Sequence, residues 1–110
     1  MALRRTPRAG GPMATATDLL GRRWTLRILW ELRGGPLRAT ELQAQCDRMS
    51  LSVLYQRLRE LMDADLVRQN ADDWYELTKY GTELGVALEP LDTWSRRWAR
   101  SQSARSRARR

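Results

Sequence analysis

The sequence predicts a mainly α-helical domain with a small β-wing: a winged helix-turn-helix that dimerises through its terminal helices. Three observations predict it. Two helix signals flank Asp47-Arg48-Met49, which makes the turn between them. In the second of those helices Leu54, Leu58 and Leu61 recur at spacings of four and three, giving it one buried face. After Asp65 the pattern changes period, and Leu66-Val67-Arg68-Gln69 and Trp74-Tyr75-Glu76-Leu77 read as two strands joined across Asn70-Ala71-Asp72-Asp73.

Taken in order, residues 1–12 carry Arg, Gly and Pro without apolar periodicity and read as a disordered basic arm, with order starting near Met13. The domain spans 13–98. A helix runs from Met13 through Leu20 and ends at Gly21; the next, Trp24 to Arg33, is closed by Gly34-Gly35-Pro36. Trp24, Leu26, Ile28, Leu29, Trp30 and Leu32 cover much of its circumference, which suits a central helix packed on several sides. Thr40 with Gln43 has capping-box form and opens the first helix of the motif, which runs toward Cys46. Ser50 can accept from the orphan N–H groups that start the second.

Beyond the wing, Thr78 can cap a helix in which Tyr80, Leu84, Ala87, Leu88, Leu91, Trp94 and Trp98 sit mostly three and four apart, with a kink expected at Pro90. That stripe is longer than one small domain needs and points to a dimerisation helix; the alternative is that the tryptophans close the monomer's own core. They could also stack on an aromatic effector. Residues 99–110, alternating Ser, Ala, Gln and Arg without an apolar face, read as a disordered Arg-rich tail.

Composition excludes most chemistry. At 110 residues the chain is one domain, too small for a separate catalytic one. It has no histidine and one cysteine, so the usual general base, a thiolate zinc cage and an internal disulfide are all missing. Gly10-Gly11 and Gly34-Gly35 lack the spacing and the lysine of a phosphate loop, and Asp72-Asp73 falls on a turn where carboxylates stay solvated. No enzyme, cofactor or metal is expected. Apolar runs are far short of a membrane span and the N-terminus has no apolar signal segment, so the expected place is the cytoplasm, in association with the nucleoid.

The net charge of +7 is unevenly spread. Residues 1–8 contribute +3 and residues 96–110 contribute +7, whereas 9–95 hold ten basic and thirteen acidic side chains, a balance of −3. The folded part is not basic overall, and polyanion affinity concentrates at the ends.

Going round the second helix of the motif, Ser52, Tyr55, Gln56 and Arg59 fall away from the leucine stripe, where a helix in the major groove needs groups that hydrogen-bond. Gln can pair bidentately with adenine and Arg with guanine. The competing reading is a solvated face on which Arg59 pairs with Asp63. Arg38 and Arg57 are candidates for phosphate contacts, with Thr40 and Ser50 completing the expected DNA-binding set. Cys46 follows Leu42 by one helical turn and reads as a small hydrophobe on a packed face; the alternative is a redox-responsive thiol.

Over residues 12–94 the sequence resembles the HxlR-type winged helix-turn-helix regulators of the MarR-like group of bacterial transcription factors. The resemblance rests on Leu20-Gly21-Arg22-Arg23-Trp24-Thr25-Leu26, Gly35-Pro36, Thr40-Glu41-Leu42 and Ser50 with Leu54. It continues through Gln56-Arg57-Leu58-Arg59-Glu60-Leu61, Asp65-Leu66-Val67, and Tyr75-Glu76-Leu77-Thr78 with Gly81. It implies a homodimer that binds a pseudopalindromic operator in double-stranded DNA and controls nearby genes. Two departures stand out. Many members carry a cysteine before the proline that opens the first helix, where this chain has Gly11 before Pro12, and the wing is short, with Asp72 and Asp73 near its tip. The expected function is sequence-specific DNA binding in transcriptional regulation; the alternative is a basic-tailed module that binds DNA nonspecifically or recruits a protein through the winged domain.

Overall fold

The computed structural model describes residues 10–109. They form α1 (Gly11–Leu20), α2 (Thr25–Leu32), α3 (Ala39–Gln45), α4 (Leu51–Asp63), β1 (Val67–Gln69), β2 (Tyr75–Leu77), α5 (Lys79–Ala87) and α6 (Glu89–Ala108). The order is that of a winged helix-turn-helix, mainly helical with one two-stranded antiparallel sheet. Of the disordered basic arm expected at 1–12, residues 1–9 lie outside the described residues, and Gly11 and Pro12 belong to α1.

Helix α2 is the centre of the core. Its Ile28, Leu29 and Leu32 are buried together with Leu42 and Cys46 of the α3 end, Leu54, Leu58 and Leu61 of α4, and Val67 and Tyr75 of the wing. Burying each such leucine or isoleucine contributes about 1.5–3 kcal/mol, so the α4 stripe alone fixes which way that helix faces. Met49, also buried, pins the turn before α4, and there Asp47 and Arg48 both take φ of 57°. Gln43 spans the same turn, donating from Nε2 to the Met49 carbonyl at 2.9 Å.

Several boundaries differ from expectation, each for a physical reason. Helix α1 starts at Gly11 rather than Met13, because Pro12 falls in the first turn, where its missing N–H costs nothing. Trp24 is not the first residue of α2 but its left-handed N-cap, with φ of 78°, and its indole packs on the core. Thr40 does not cap α3. Arg38 is the N-cap, and its backbone N–H donates to Glu41 Oε1 at 3.0 Å, so Glu41 supplies the returning half of the cap. The helix expected from Thr78 to Trp98 divides at Leu88, since Pro90 brings no N–H for the preceding turn and instead opens α6.

The wing pairs Val67 with Leu77, Arg68 with Glu76 and Gln69 with Tyr75. A further bridge, Leu37 to Tyr75, was not anticipated: Leu37 donates to the Tyr75 carbonyl at 2.9 Å and Tyr75 returns its N–H at 2.8 Å. This stitches the α2–α3 connection to the wing.

The segment expected to be a disordered tail is helical through Ala108. Extending a formed helix adds a hydrogen bond per residue without a new nucleation step, and Ala, Arg and Gln are good helix formers. No residue of α6 is buried, and Leu91, Trp94 and Trp98 are 47, 49 and 52% exposed. The tryptophans therefore do not close the monomer's core.

Helix α5 approaches the wing through a gap that only glycine fits. A Cβ on Gly81 would lie 2.0 Å from the Leu66 carbonyl oxygen. Thr78 Oγ1 seals the joint, accepting from Gly81 N at 3.1 Å and donating to the Asp65 carbonyl at 2.6 Å. Gly81→Ala is accordingly expected to destabilise the fold by about 1–3 kcal/mol, the usual cost of overpacking, visible as a lower midpoint in urea unfolding with little change in slope.

Candidate nucleic-acid interface

Ser50 caps α4 by accepting from Val53 N at 3.4 Å and lies 2.8 Å, Oγ to Oγ, from Ser52. With the leucine stripe buried, Ser52, Tyr55, Gln56 and Arg59 are all exposed on the opposite side. Gln56 and Arg59 make no hydrogen bond or ion pair among the described residues, and the pairing of Arg59 with Asp63 is not made. Their amide and guanidinium donors are free, with α4 holding them in a row.

The wing stands beside this row. Burial, and then the neighbouring Tyr55 hydroxyl, hold the Tyr75 phenol above its usual range, while Arg59 pulls the other way. Tyr75 thus lies within electrostatic reach of the α4 face, a link that sequence periodicity alone does not show. Asn70 organises the turn: its Oδ1 accepts from Asp72 N at 2.9 Å and Trp74 N at 3.1 Å, and its Nδ2 donates to Glu76 Oε1 at 2.8 Å. Arg68 holds the other carboxylate oxygen of Glu76 from Nε at 3.1 Å and Nη2 at 2.8 Å. These two donors keep the Glu76 carboxyl below its ordinary range.

The arginines named from sequence separate into two kinds. Arg38 is exposed, with its guanidinium 4.9 Å from the Trp74 ring centroid, between the start of α3 and the wing. Arg57 is folded back. Its Nε donates to the Arg23 carbonyl at 2.9 Å and its Nη1 pairs with Glu60 at 3.0 Å, which ties α4 to the loop before α2 instead of leaving a cation for phosphate. Arg22 pairs with the same Glu60. Sequence reasoning missed Arg48, exposed at the turn without an ion pair among the described residues; its left-handed φ of 57° was the missing information. Thr40 is exposed within the first turn of α3, available to solvent but not a cap.

Trp94 and Trp98 stack on each other, centroids 5.5 Å apart and 9° from parallel, and leave no slot between them for a third ring. A cleft of about 380 Å³ lies elsewhere, between α2 and the α5–α6 joint, walled by Leu26, Trp30, Leu88 and Leu91. No group of three or more metal-binding side chains occurs among the described residues, and none of their helices is long and apolar enough to cross a membrane.

Cys46 is fully buried, and desolvation pushes its thiol up to about 11. A thiol raised in the folded state stabilises the fold below its unfolded value; that contribution is lost as pH climbs through the folded value, so the window is roughly pH 9 to 11. At neutral pH the native protein should react with an aromatic disulfide reagent only as fast as it unfolds, whereas urea-unfolded chain should react at once. DNA binding should be insensitive to diamide, in the parent and in Cys46→Ala alike, as gel-shift titrations would show.

The comparisons with known proteins agree with this geometry. The chain is 33% identical over 89 residues to the HTH-type transcriptional regulator YodB of Bacillus subtilis (strain 168), which spans 76% of this chain and 80% of the relative. The crystal structure of quinone-bound YodB superposes with a TM-score of 0.70 at 32% identity, covering 77% of this chain and 94% of that one. The structure of a possible HxlR family transcriptional factor from Thermoplasma volcanium GSS1 shares the fold at a TM-score of 0.72 and 22% identity, covering 86% of this chain and 95% of that one. The sequence profile of the HxlR-like helix-turn-helix matches residues 19–103. The free row of polar groups on α4, the wing beside it and these likenesses converge: the chain belongs to the HxlR-like helix-turn-helix family of transcriptional regulators and is not an enzyme.

Proposed function

We propose that this regulator acts as a homodimer on a pseudopalindromic operator, each α4 entering the major groove with Ser52, Tyr55, Gln56 and Arg59 toward the bases. The observation that carries the reading is that Gln56 and Arg59, the two side chains suited to bidentate base contacts, are exposed and unbonded on the side of α4 opposite its buried stripe. Ser50, Thr40, Arg38 and Arg48 flank that row as candidates for phosphate contacts that set register. Arg57 is no longer among them.

Support for the dimer comes from α6. Leu91, Trp94 and Trp98 form a half-exposed apolar stripe on a helix with no buried residue, and a second copy of the same helix would cover it. Two α4 helices related by such a dimer would meet successive major grooves about 34 Å apart.

The test uses a duplex that the parent selects from a random pool. Gln56→Ala and Arg59→Ala should each weaken binding to it by about 1–3 kcal/mol and relax the preference at one position per half-site, with unchanged circular dichroism. Variants that protect the selected duplex as well as the parent does would place the bases elsewhere.

A further inference from the structure

Beside the face that would read DNA, Arg38, Arg48 and Arg59 are the cations without an ion pair among the described residues. Of the ten basic side chains in residues 9–95, Arg22, Arg27, Arg33, Arg57 and Arg68 are in ion pairs. The wing tip adds Asp72 and Asp73, both exposed. Duplex binding at ordinary ionic strength draws much of its affinity from phosphates neutralised by Lys and Arg, and this segment, at −3 net, offers little of that.

Helix α6 differs in holding its cations without acidic neighbours beyond Asp92. From Thr93 to Ala108 it carries no acidic residue, while Arg96, Arg97, Arg100, Arg105 and Arg107 lie on it and Arg109 caps it. Arg96 pairs with Asp92 at 3.0 Å; the other five have no ion pair among the described residues, and all are exposed. Arg96, Arg100 and Arg107, spaced four and seven apart, share one side of the helix, and Arg97 flanks them. Leu91, Trp94 and Trp98 run along the opposite side, with Arg105 seven residues beyond Trp98 on that same side, so a partner helix can cover the apolar stripe while Arg96, Arg97, Arg100 and Arg107 stay open. Like charges at these spacings repel along an isolated helix, and a polyanion relieves that. A second copy of α6 would not, because its own arginines carry the same sign. The family match ends at residue 103, so Arg105, Arg107 and Arg109 lie beyond it.

We propose that the C-terminal half of α6 is a second, sequence-independent DNA contact: a pre-formed helical arm whose Arg97, Arg100 and Arg107 engage backbone phosphates of the duplex that α4 reads. The arm supplies affinity and salt dependence, and α4 supplies the choice of sequence. This rests on the DNA-binding reading given above. Where each contact is made, the log–log slope of affinity against salt steepens by about 0.9.

The experiment compares the parent, a variant with all three arginines changed to glutamine, and one with all three changed to lysine, by Kd across a salt series. Two duplexes serve as probes: one selected by the parent from a random pool and a scrambled one of equal composition. Circular dichroism reports the helix, which glutamine and lysine favour about as well as arginine. The glutamine variant should show a slope flatter by about 2–3, and at least tenfold weaker binding to both duplexes at about 0.15 M salt, with their ratio unchanged. The lysine variant should keep the parent's slope. An unchanged slope in the glutamine variant overturns the proposal, as does a loss confined to the selected duplex, or a lysine variant as weak as the glutamine one. So does retained DNA binding with lost flotation on phosphatidylglycerol vesicles, which would make the arm a membrane contact. A parent that selects no sequence would instead defeat the reading of α4, and the scrambled duplex would still test the arm.

Discussion

Everything in this fold depends on α4 having one dry side. Leu54, Leu58 and Leu61 are fully buried in the common core, where α4 packs on α3 and β1, and that burial dictates that Ser52, Tyr55, Gln56 and Arg59 face outward. A rotation of α4 by one residue would put an arginine, Arg57 or Arg59, into the core, at a desolvation cost of several kcal/mol. The presentation of polar groups is thus a by-product of packing, and it is rigid because the packing is. Glu60 reinforces it from the flank, where Arg22 and Arg57 both hold its carboxylate and so tie α4 to the loop ahead of α2.

Charge is divided from shape in this molecule. The winged body balances most of its arginines internally, and these exposed or half-exposed pairs do more to set geometry than to add stability. On α6 the unpaired arginines stand without acidic neighbours beyond Asp92. The lone cysteine belongs to the packed body as well: it is a core residue with its thiol pushed up to about 11, and glycine stands before Pro12.

The legible parts of the sequence were those governed by periodicity and by single dominant residues. The leucine spacing of α4, the switch to alternating strands after Asp65, Ser50 and Thr78 as caps, and the exposure of Gln56 and Arg59 all follow from local rules. What was not legible needed three dimensions or a choice between near-equal alternatives. Glu41 and Gln43 both suit the third position of α3, and two residues of register decide which of them closes the cap. Arg57 looked like a surface cation because its acceptors, the Arg23 carbonyl and Glu60, come together only after folding. The Leu37–Tyr75 bridge involves one residue per side and leaves no pattern. For residues 99–108 the composition lacks an apolar face, which reads as disorder when taken alone, although the helix is already nucleated upstream.

The joint at Leu88 has a mechanical consequence. Helix α6 leaves the body through a single residue outside either helix, braced by the ion pair of Arg33 with Glu89 at 2.9 Å. Its twenty residues make a lever about 30 Å long, so a tilt of about 10° at the joint swings the far end by about 5 Å. That is close to the advance of one to two base pairs along a duplex. The angle stored at one residue and one ion pair therefore sets how far apart two bodies sharing an α6 contact would sit, and evolution can retune that reach by altering the hinge while leaving the reading helix untouched.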